Sequence, residues 1–311
     1  MRTRLLAATT ALVALFGMAR AEPCLPPTPV PDFEHAAIRT TDLGHRTFLL
    51  EGVSGTVGGN VAVIVGDDGV IVVDDMFGQM YGKLKAAIAA ITSQPVRYVV
   101  NTHFHRDHTG GNEAFARDGA VVVAHENVRR VLMSGSKSGL TCTPVPPVPE
   151  SALPKQTYQD TLTLRLGGRS AKLRHYADTH TSGDTAIRLA DANIVIAGDL
   201  AFFRRYPNID FLFGGSIDGA IRGADELLQL ARSDTTIVPG QGPAGTTATL
   251  REYRAMLADV RERVARLKAA GKTEDEVVAA QPTADYDAKL GASERSIGNF
   301  LRGVYRSLPK G

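Results

Sequence analysis

Short apolar runs separated by polar turns dominate the pattern of hydrophobic and polar positions along the chain. Runs rich in Val, Ile and Leu predict strands at 47–51, 60–65, 70–74, 96–100, 120–124, 161–166, 170–176, 184–189, 193–197 and 235–239. Apolar residues at helical spacing predict helices at 79–92, 112–119, 218–231 and 247–270, followed by two weaker helices near the C-terminus. Strands and helices mix without a strict βαβ order, which indicates two sheets covered by outer helices.

Residues 133–156 interrupt this pattern because they are rich in Gly, Ser and Pro, and we expect an irregular surface loop there. The remaining sequence contains no stretch that resembles a linker between domains. We therefore predict that residues 22–311 form one domain with helices at its C-terminal end.

The first 21 residues have the pattern of a secretory signal peptide. Arg2 and Arg4 supply a positively charged start, Leu5–Met18 is an apolar stretch too short to span a bilayer, and "ARA" ending at Ala21 suits signal peptidase. We expect cleavage there, export to the periplasm or the medium, and no membrane span in the mature chain. A short membrane anchor is the alternative interpretation.

Composition narrows the class of binding partner. The chain has 311 residues, of which 43% are hydrophobic, and this is enough for a sizeable core. Its formal charge of +2 becomes −1 without the three arginines of the predicted signal peptide, which has no acidic residue. A nearly neutral chain without a dense basic patch is not typical of a nucleic-acid-binding protein, so we expect a small-molecule substrate.

The chain has two cysteines, Cys24 and Cys142. In an oxidising compartment they would form a disulfide that joins the N-terminal arm to the loop at 133–156. Sequence alone leaves two free thiols as an equal alternative.

A dense group of metal-binding side chains lies in "NTHFHRDHTGG", residues 101–111, and consists of His103, His105, Asp107 and His108. In an extended chain the first two histidines point the same way and can face one cation. The aspartate and the last histidine are adjacent, so the chain must turn there, and the following glycines allow the turn. We interpret this pair as ligands of a second cation, and zinc or iron suits such donors.

Three further polar residues follow other predicted strands. His180 lies in "YADTHTSGD", Asp199 ends "IVIAGD", and Gln241 lies in "TIVPGQGP". Taken singly, each is more often a hydrogen-bonded loop residue or a cap. Their arrival at strand ends together with the cluster predicts one shared metal site. We expect His125 and His175 to make structural hydrogen bonds instead.

The motif "HFHRDH", followed in order by "THTSGD", "GDL" and "PGQGP", resembles the metallo-β-lactamase superfamily over residues 45 to 260. The resemblance implies an α+β fold, a four-layer αββα sandwich with a metal site at one edge. It also implies three sets of ligands: His103, His105 and His180 for a first metal, Asp107 and His108 for a second, and Asp199 as a bridge between them.

Gln241 departs from the family pattern, which usually has histidine at this position. An amide oxygen is a neutral and weaker zinc ligand than imidazole. We therefore expect one tightly bound zinc and a second site that is weak or absent, with iron as a possible replacement. Whether Gln241 touches metal at all stays open.

The resemblance implies a zinc-dependent hydrolase that attacks a carbonyl (β-lactam, ester, thioester or lactone) with metal-bound hydroxide. Asp107 would be the catalytic residue, orienting the nucleophile or accepting its proton. Asp74 or Asp75 would orient a ligand histidine, although either is equally a turn aspartate, and Asp184 has the same ambiguity.

Two other functions are compatible with the motifs. The first is an oxidoreductase that resembles the mononuclear iron persulfide dioxygenases, and the second is a non-catalytic zinc-binding periplasmic protein. The segment 202–215, with Arg204, Arg205 and Tyr206, either lines the pocket and favours an anionic, partly apolar substrate or is a loop with solvated arginines. We expect the solvated loop.

Overall fold

The computed structural model describes residues 24–53 and 57–309, so the predicted signal peptide lies outside the described residues. The strands are β1 (Ala37–Asp42), β2 (Thr47–Val53), β3 (Val61–Val65), β4 (Val70–Val73), β5 (Val96–Asn101), β6 (Val121–His125), β7 (Ser136–Lys137), β8 (Pro144–Val145), β9 (Gln156–Tyr158), β10 (Thr161–Leu166), β11 (Arg169–Tyr176), β12 (Asp184–Leu189), β13 (Ile194–Phe202), β14 (Thr236–Gln241) and β15 (Gly245–Thr246).

The helices are α1 (Tyr81–Ile91), α2 (Arg106–Thr109), α3 (Asn112–Arg117), α4 (Glu126–Ser134), α5 (Ile217–Leu230), α6 (Thr247–Ala269), α7 (Glu274–Ala279), α8 (Ala284–Leu290) and α9 (Glu294–Ser307). Short 3-10 turns occur at Gly78–Met80 and Glu150–Ala152.

Two mixed sheets form the centre of the molecule. The first has the strand order β1-β2-β3-β4-β5-β6-β9, and the second has the order β10-β11-β12-β13-β14-β15. Within the first sheet β4, β5, β6 and β9 run parallel, and in the second β13 and β14 do so. Parallel strands bring their carboxyl ends to one edge of a sheet, where sites are commonly found.

The all-apolar strand β3 shows why the first sheet is covered on both faces. Strand β3 reads "VAVIV" and is buried throughout. Val61, Val63 and Val65 pack into the core beneath α1 and α3, whereas Ala62 and Ile64 pack into the core between the sheets. Successive side chains point to opposite faces, so an uninterrupted apolar strand requires cover on both.

The outer face of the second sheet is covered by α5, α6 and α9. Leu227, Leu257 and Phe300 from these helices belong to one buried cluster with Val195 and Ile237 of the sheet. With α1 and α3 on the opposite side, the layers run helix, sheet, sheet, helix. The predicted αββα sandwich is therefore confirmed.

Three sequence predictions need correction. Three helices, rather than two weak ones, follow α6, and the last is a 14-residue helix with Phe300, Leu301 and Val304 buried in the core. Strand β1 had no predicted counterpart because it is a polar edge strand, "AIRTTD", exposed at most positions. The segment 133–156 is not wholly irregular, since it contains the small sheet of β7 and β8.

Cys24 and Cys142 form a disulfide, with their Cα atoms 5.6 Å apart. The bond joins the N-terminal arm to the loop between β7 and β8, and the backbone amide of Leu25 donates to the carbonyl of Leu140 beside it. Among the described residues, no helix is both long and apolar enough to cross a bilayer.

Candidate metal centre

The predicted site residues converge at one edge of the sandwich, although they are far apart along the chain. Strand β5 leads into the first group, and the turn before β12 and the ends of β13 and β14 supply the others. All seven are brought together here: His103, His105, Asp107, His108, His180, Asp199 and Gln241.

Three imidazole rings point one nitrogen each at a common position. His103 Nε2 and His180 Nε2 each lie 3.0 Å from His105 Nδ1. The three rings meet at close to right angles, so the nitrogens rather than the ring faces are brought together. This arrangement is the one that a cation with nitrogen ligands requires.

The opposite nitrogen of each ring is held by a hydrogen-bond acceptor. His105 Nε2 lies 2.9 Å from Asp210 Oδ2, and His180 Nδ1 lies 2.8 Å from the carbonyl oxygen of Asn208. His103 Nδ1 lies 3.1 Å from the hydroxyl of Thr102.

Those contacts fix where the ring protons lie. The Thr102 hydroxyl donates to Asp74 Oδ2 at 2.8 Å, so it accepts from His103. With the far nitrogens as donors, the converging nitrogens of the neutral rings present lone pairs to one another. Three facing lone pairs repel unless a cation lies between them, so this part of the cluster fits a metal ion.

Burial keeps two of these histidines neutral. Burial, with neighbouring histidines, lowers the pKa of His103 and His180 well below the usual value. Burial acts the same way on His105, but the hydrogen bond and charge of Asp210, together with the carboxylates of Asp107 and Asp199, outweigh burial and raise its pKa. Neutral imidazole is the metal-binding form.

Asp199 lies between the two halves of the cluster. Its Oδ2 is 3.3 Å from His180 Nε2, and its Oδ1 is 3.4 Å from His108 Nε2. Oδ1 is buried and has no hydrogen-bond partner among the described residues. Burial raises the pKa of this carboxyl to about 7. A buried carboxylate oxygen without a partner is a second observation that fits a cation.

The second half of the cluster is filled by protein groups. His108 Nδ1 is held by Asp74 Oδ2 at 2.7 Å, and its Nε2 lies 3.3 Å from the amide nitrogen of Gln241. That amide nitrogen also donates to Asp107 Oδ2 at 3.0 Å, while the Gln241 carbonyl oxygen accepts from Arg205 at 2.9 Å. The amide therefore points its nitrogen, not its oxygen, into the cluster.

Two possible sets of metal ligands occur among the described residues. One consists of His103, His105 and His180, and the other of His103, His108 and Asp199. His103 belongs to both sets, and the second set extends the candidate region to His108 and Asp199. Asp107 belongs to neither set.

The aspartates of uncertain role now have defined contacts. Asp74 binds His108 and the backbone amide of Thr102. Asp75 instead accepts from the amide of Gly111, and no hydrogen bond joins its carboxylate to a histidine ring among the described residues. Asp184 accepts from the backbone amides of His180 and Thr181, so it holds the turn that carries a predicted ligand.

One residue of the site was missed, and the segment 202–215 has a further role. Asp210, which contacts His105, was not a candidate because 105 positions separate them and the sequence around it, "NIDFL", has no metal motif. Arg204 and Arg205 of the segment 202–215 are exposed, as expected, but together with Phe202 they also line a cavity of about 490 Å³ that opens onto the cluster. The signal available was the aromatic and basic content of that loop.

His125 and His175 lie apart from the cluster, as expected. Their rings stack with centroids 3.7 Å apart, His125 Nδ1 accepts from the amide of Asn127, and His175 Nε2 lies 3.0 Å from the carbonyl of Ser182. The expected structural hydrogen bonds are therefore present.

The sandwich and the cluster at its edge define a hydrolase-like fold with a candidate metal site. The family model of the metallo-beta-lactamase superfamily matches residues 54–257. The chain therefore belongs to the metallo-beta-lactamase superfamily, as its motifs predicted.

Known proteins similar to this chain differ in activity. The alpha subunit of a 2,4-dinitroanisole O-demethylase from Nocardioides sp. (strain JS1661) is 28% identical over 191 residues, which cover 60% of this chain. The chain spans about half of that relative, 54% of its length.

Solved structures support the fold. A metallo-beta-lactamase from Pontibacter korlensis has a TM-score of 0.57 and 21% identity, covering 71% of this chain and 99% of its own. The stereoselective inverting sec-alkylsulfatase Pisa1 from Pseudomonas sp. has a TM-score of 0.63 and 17% identity, covering 87% of this chain and 50% of its own. At such identities the likeness concerns the fold alone.

Proposed function

We propose that the protein is a zinc-dependent hydrolase that cleaves a β-lactam, ester, thioester or lactone at the cluster. The observation that carries the proposal is the convergence of three imidazole rings, each of which turns one nitrogen to a common position and bonds the other to an acceptor. His103, His105 and His180 would hold the ion, and Asp199 would complete the set. When bound, a cation of this kind supplies Lewis-acid chemistry, lowering the pKa of water toward neutrality and polarising a carbonyl.

Asp107 is the proposed catalytic residue. Its side chain is 25% exposed and lines the cavity beside the histidines. Burial alone would raise the pKa of this carboxyl, but His108 outweighs that effect and holds the pKa well below its usual range. A strongly acidic group is a poor proton acceptor, so we assign Asp107 to orienting the nucleophile by accepting its hydrogen bond.

The cavity supports a small anionic substrate. Arg204 and Arg205 contribute positive charge to its wall, and Phe202 and Tyr206 contribute aromatic surface. Its volume of about 490 Å³ is in the range of small-molecule sites. We propose a substrate with a carboxylate or similar anion next to an apolar group.

The test is turnover by metal-loaded protein. Purified protein is stripped with chelator, reloaded with zinc or ferrous iron, and assayed with a chromogenic cephalosporin, nitrophenyl esters, a thioester and lactones. An aryl methyl ether and an alkyl sulfate extend the panel to the chemistries named for the relatives. We expect zinc-dependent hydrolysis that His180→Ala abolishes and that the exposed-site variant His35→Ala retains.

Two results would replace the proposal. Oxygen consumption with iron and a persulfide substrate, without hydrolysis by the zinc form, would favour the oxidoreductase. Tight zinc binding without turnover of any substrate would favour a zinc-binding protein without catalysis.

We also propose that the chain is exported. The disulfide between Cys24 and Cys142 supports this, because disulfides persist in oxidising compartments. Fractionation of expressing cells, with mass measurement, should recover a chain that begins at Glu22 outside the cytoplasm. An uncleaved chain in the cytoplasmic fraction would contradict export.

A further inference from the structure

We propose that Gln241 and Arg205 occupy, as an amide–guanidinium pair, the position that a second cation would take, so that the centre holds a single ion. The inference rests on the proposed function only in assuming that the three converging histidines bind a metal. It concerns the chain's own groups in the other half of the cluster.

The amide of Gln241 satisfies the groups that a second ion would need. Its nitrogen lies 3.0 Å from Asp107 Oδ2 and 3.3 Å from His108 Nε2. An amide nitrogen carries two hydrogens, one for each of these partners. A neutral donor thus replaces a cation between a carboxylate and an imidazole.

Arg205 determines which way the amide faces. Its guanidinium donates to the Gln241 carbonyl oxygen at 2.9 Å. That oxygen is the metal-binding atom of a glutamine side chain, and it is turned away from the cluster toward a permanent positive charge. For Gln241 to bind an ion, this hydrogen bond must break and the amide must rotate.

The backbone holds the pair in place. Phe202 of β13 lies opposite Gln241 of β14. The backbone amide of Phe203 donates to the backbone carbonyl of Gln241 at 3.1 Å. The side-chain amide of Asn60 donates to the carbonyls on both sides, those of Pro239 and Gly242, at 2.9 Å and 2.7 Å. Arg205 lies shortly after Phe202, the last residue of β13, so the ends of the two strands bring both members together.

The test is zinc stoichiometry, which does not depend on turnover. Chelator-stripped protein is titrated with zinc by calorimetry, and the bound metal is measured after gel filtration. We expect one equivalent for the wild type. The Arg205→Ala, Gln241→His double variant should bind two equivalents of zinc. Its affinity for the second zinc should be at least about tenfold higher than that of the wild type.

Two controls separate the possible failures. Arg205→Ala alone removes an exposed side chain and should let the amide rotate, so that a second zinc binds weakly. The neighbouring Arg204→Ala should still bind one equivalent.

Two tight equivalents of zinc in the wild type would overturn this inference and leave the proposed function standing. No zinc in the wild type would overturn the proposed function. One equivalent in every variant would show that the pair does not exclude the second ion.

Discussion

Single side chains decide how well the cluster can hold a cation. Each converging histidine is aimed by an acceptor on its far nitrogen, and the acceptors differ: a hydroxyl for His103, a carboxylate for His105 and a backbone carbonyl for His180. A carboxylate partner raises the basicity of an imidazole more than a neutral one does. Asp210 is therefore the aiming residue whose charge matters most.

We expect Asp210→Asn to weaken zinc binding by about 10–100-fold without unfolding the protein, because an amide can still accept a hydrogen bond but lacks the charge. Competition titration with a chromogenic chelator measures the affinity. Asp218→Asn, which removes an exposed carboxylate paired with Arg261, is the matched control and should bind zinc as the wild type does. Equal affinity in both variants would show that Asp210 does not support His105.

A second residue-level prediction concerns pH. Burial and the stacked His175 lower the pKa of His125 to about 4, below the value of about 6.5 in an unfolded chain. Between these values the unfolded state binds more protons, so stability falls as pH falls from about 6.5 to 4. His125→Asn keeps the side-chain acceptor that caps α4 and removes the titration.

The variant should therefore lose less stability than the wild type over that range. Urea unfolding of chelator-treated protein at several pH values measures this, because both proteins then lack metal. His35→Asn, at an exposed histidine, should follow the wild-type slope. A His125→Asn slope equal to the wild-type slope would contradict the prediction.

The short motif at 101–111 allowed most of the cluster to be predicted, because its ligands are crowded into six positions. His180, Asp199 and Gln241 could be inferred because each follows an apolar strand. Asp210 and Arg205 could not, since their roles arise only when the loop after β13 folds back over the cluster. Contacts of this kind depend on tertiary packing and leave no local pattern.

The parallel strands β13 and β14 determine how close the site residues on them lie to the histidine segment. Their register shifts twice, between Ile196 and Gly198 and between Gly198 and Phe202, where the strand bends past the cluster. Gly198 has φ +53°, and a Cβ there would lie 2.6 Å from Thr102 Cβ. The strands therefore approach the histidine segment more closely than a side chain would allow.

Gly240→Ala should disturb the site through this pair of strands. Its Cβ would collide with Asp199 Oδ1 and lie 2.6 Å from the carbonyl carbon of Gly198. We expect a loss of about 1–3 kcal/mol in the free energy of unfolding and weaker zinc binding. Gly82→Ala in α1, where a Cβ has open space, should leave zinc binding unchanged and raise stability by up to about 1 kcal/mol. Unaltered zinc binding in Gly240→Ala would contradict the role given to this close approach.

Other strands and helices show which elements the periodicity of apolar residues can predict and which it cannot. Buried strands such as β3 and β4 were found because both of their faces are apolar. Strand β1 lacks alternation, since it pairs at the edge and exposes most of its residues. Helix α9 looked weak because its charged residues interrupt the apolar spacing, yet it buries Phe300, Leu301 and Val304. Its place in the core depends on packing against α6 and α7.

Across the whole molecule, the disulfide links a chain end to a wall near the site. Cys142 lies in the loop after α4, and Ser136–Leu140 of that loop faces Asn208–Phe211 across a cavity of about 110 Å³ that reaches His105. Arg295 of α9 donates to the carbonyl of Pro26 in the arm. The arm, the loop and the last helix thus brace one side of the metal centre.

Reduction should therefore lower stability and loosen this wall. The bond spans 118 positions, and constraints of this length typically stabilise by about 2–4 kcal/mol, with a chain-entropy limit near 5 kcal/mol. We expect a loss in the lower half of that typical range, because the arm is mostly exposed and gains freedom in the reduced folded state. Guanidinium unfolding with and without reductant measures the change. The Cys24→Ser, Cys142→Ser double variant should have the stability of the reduced wild type, and reductant should not change it. A loss near 5 kcal/mol would mean that the arm stays docked without its bond.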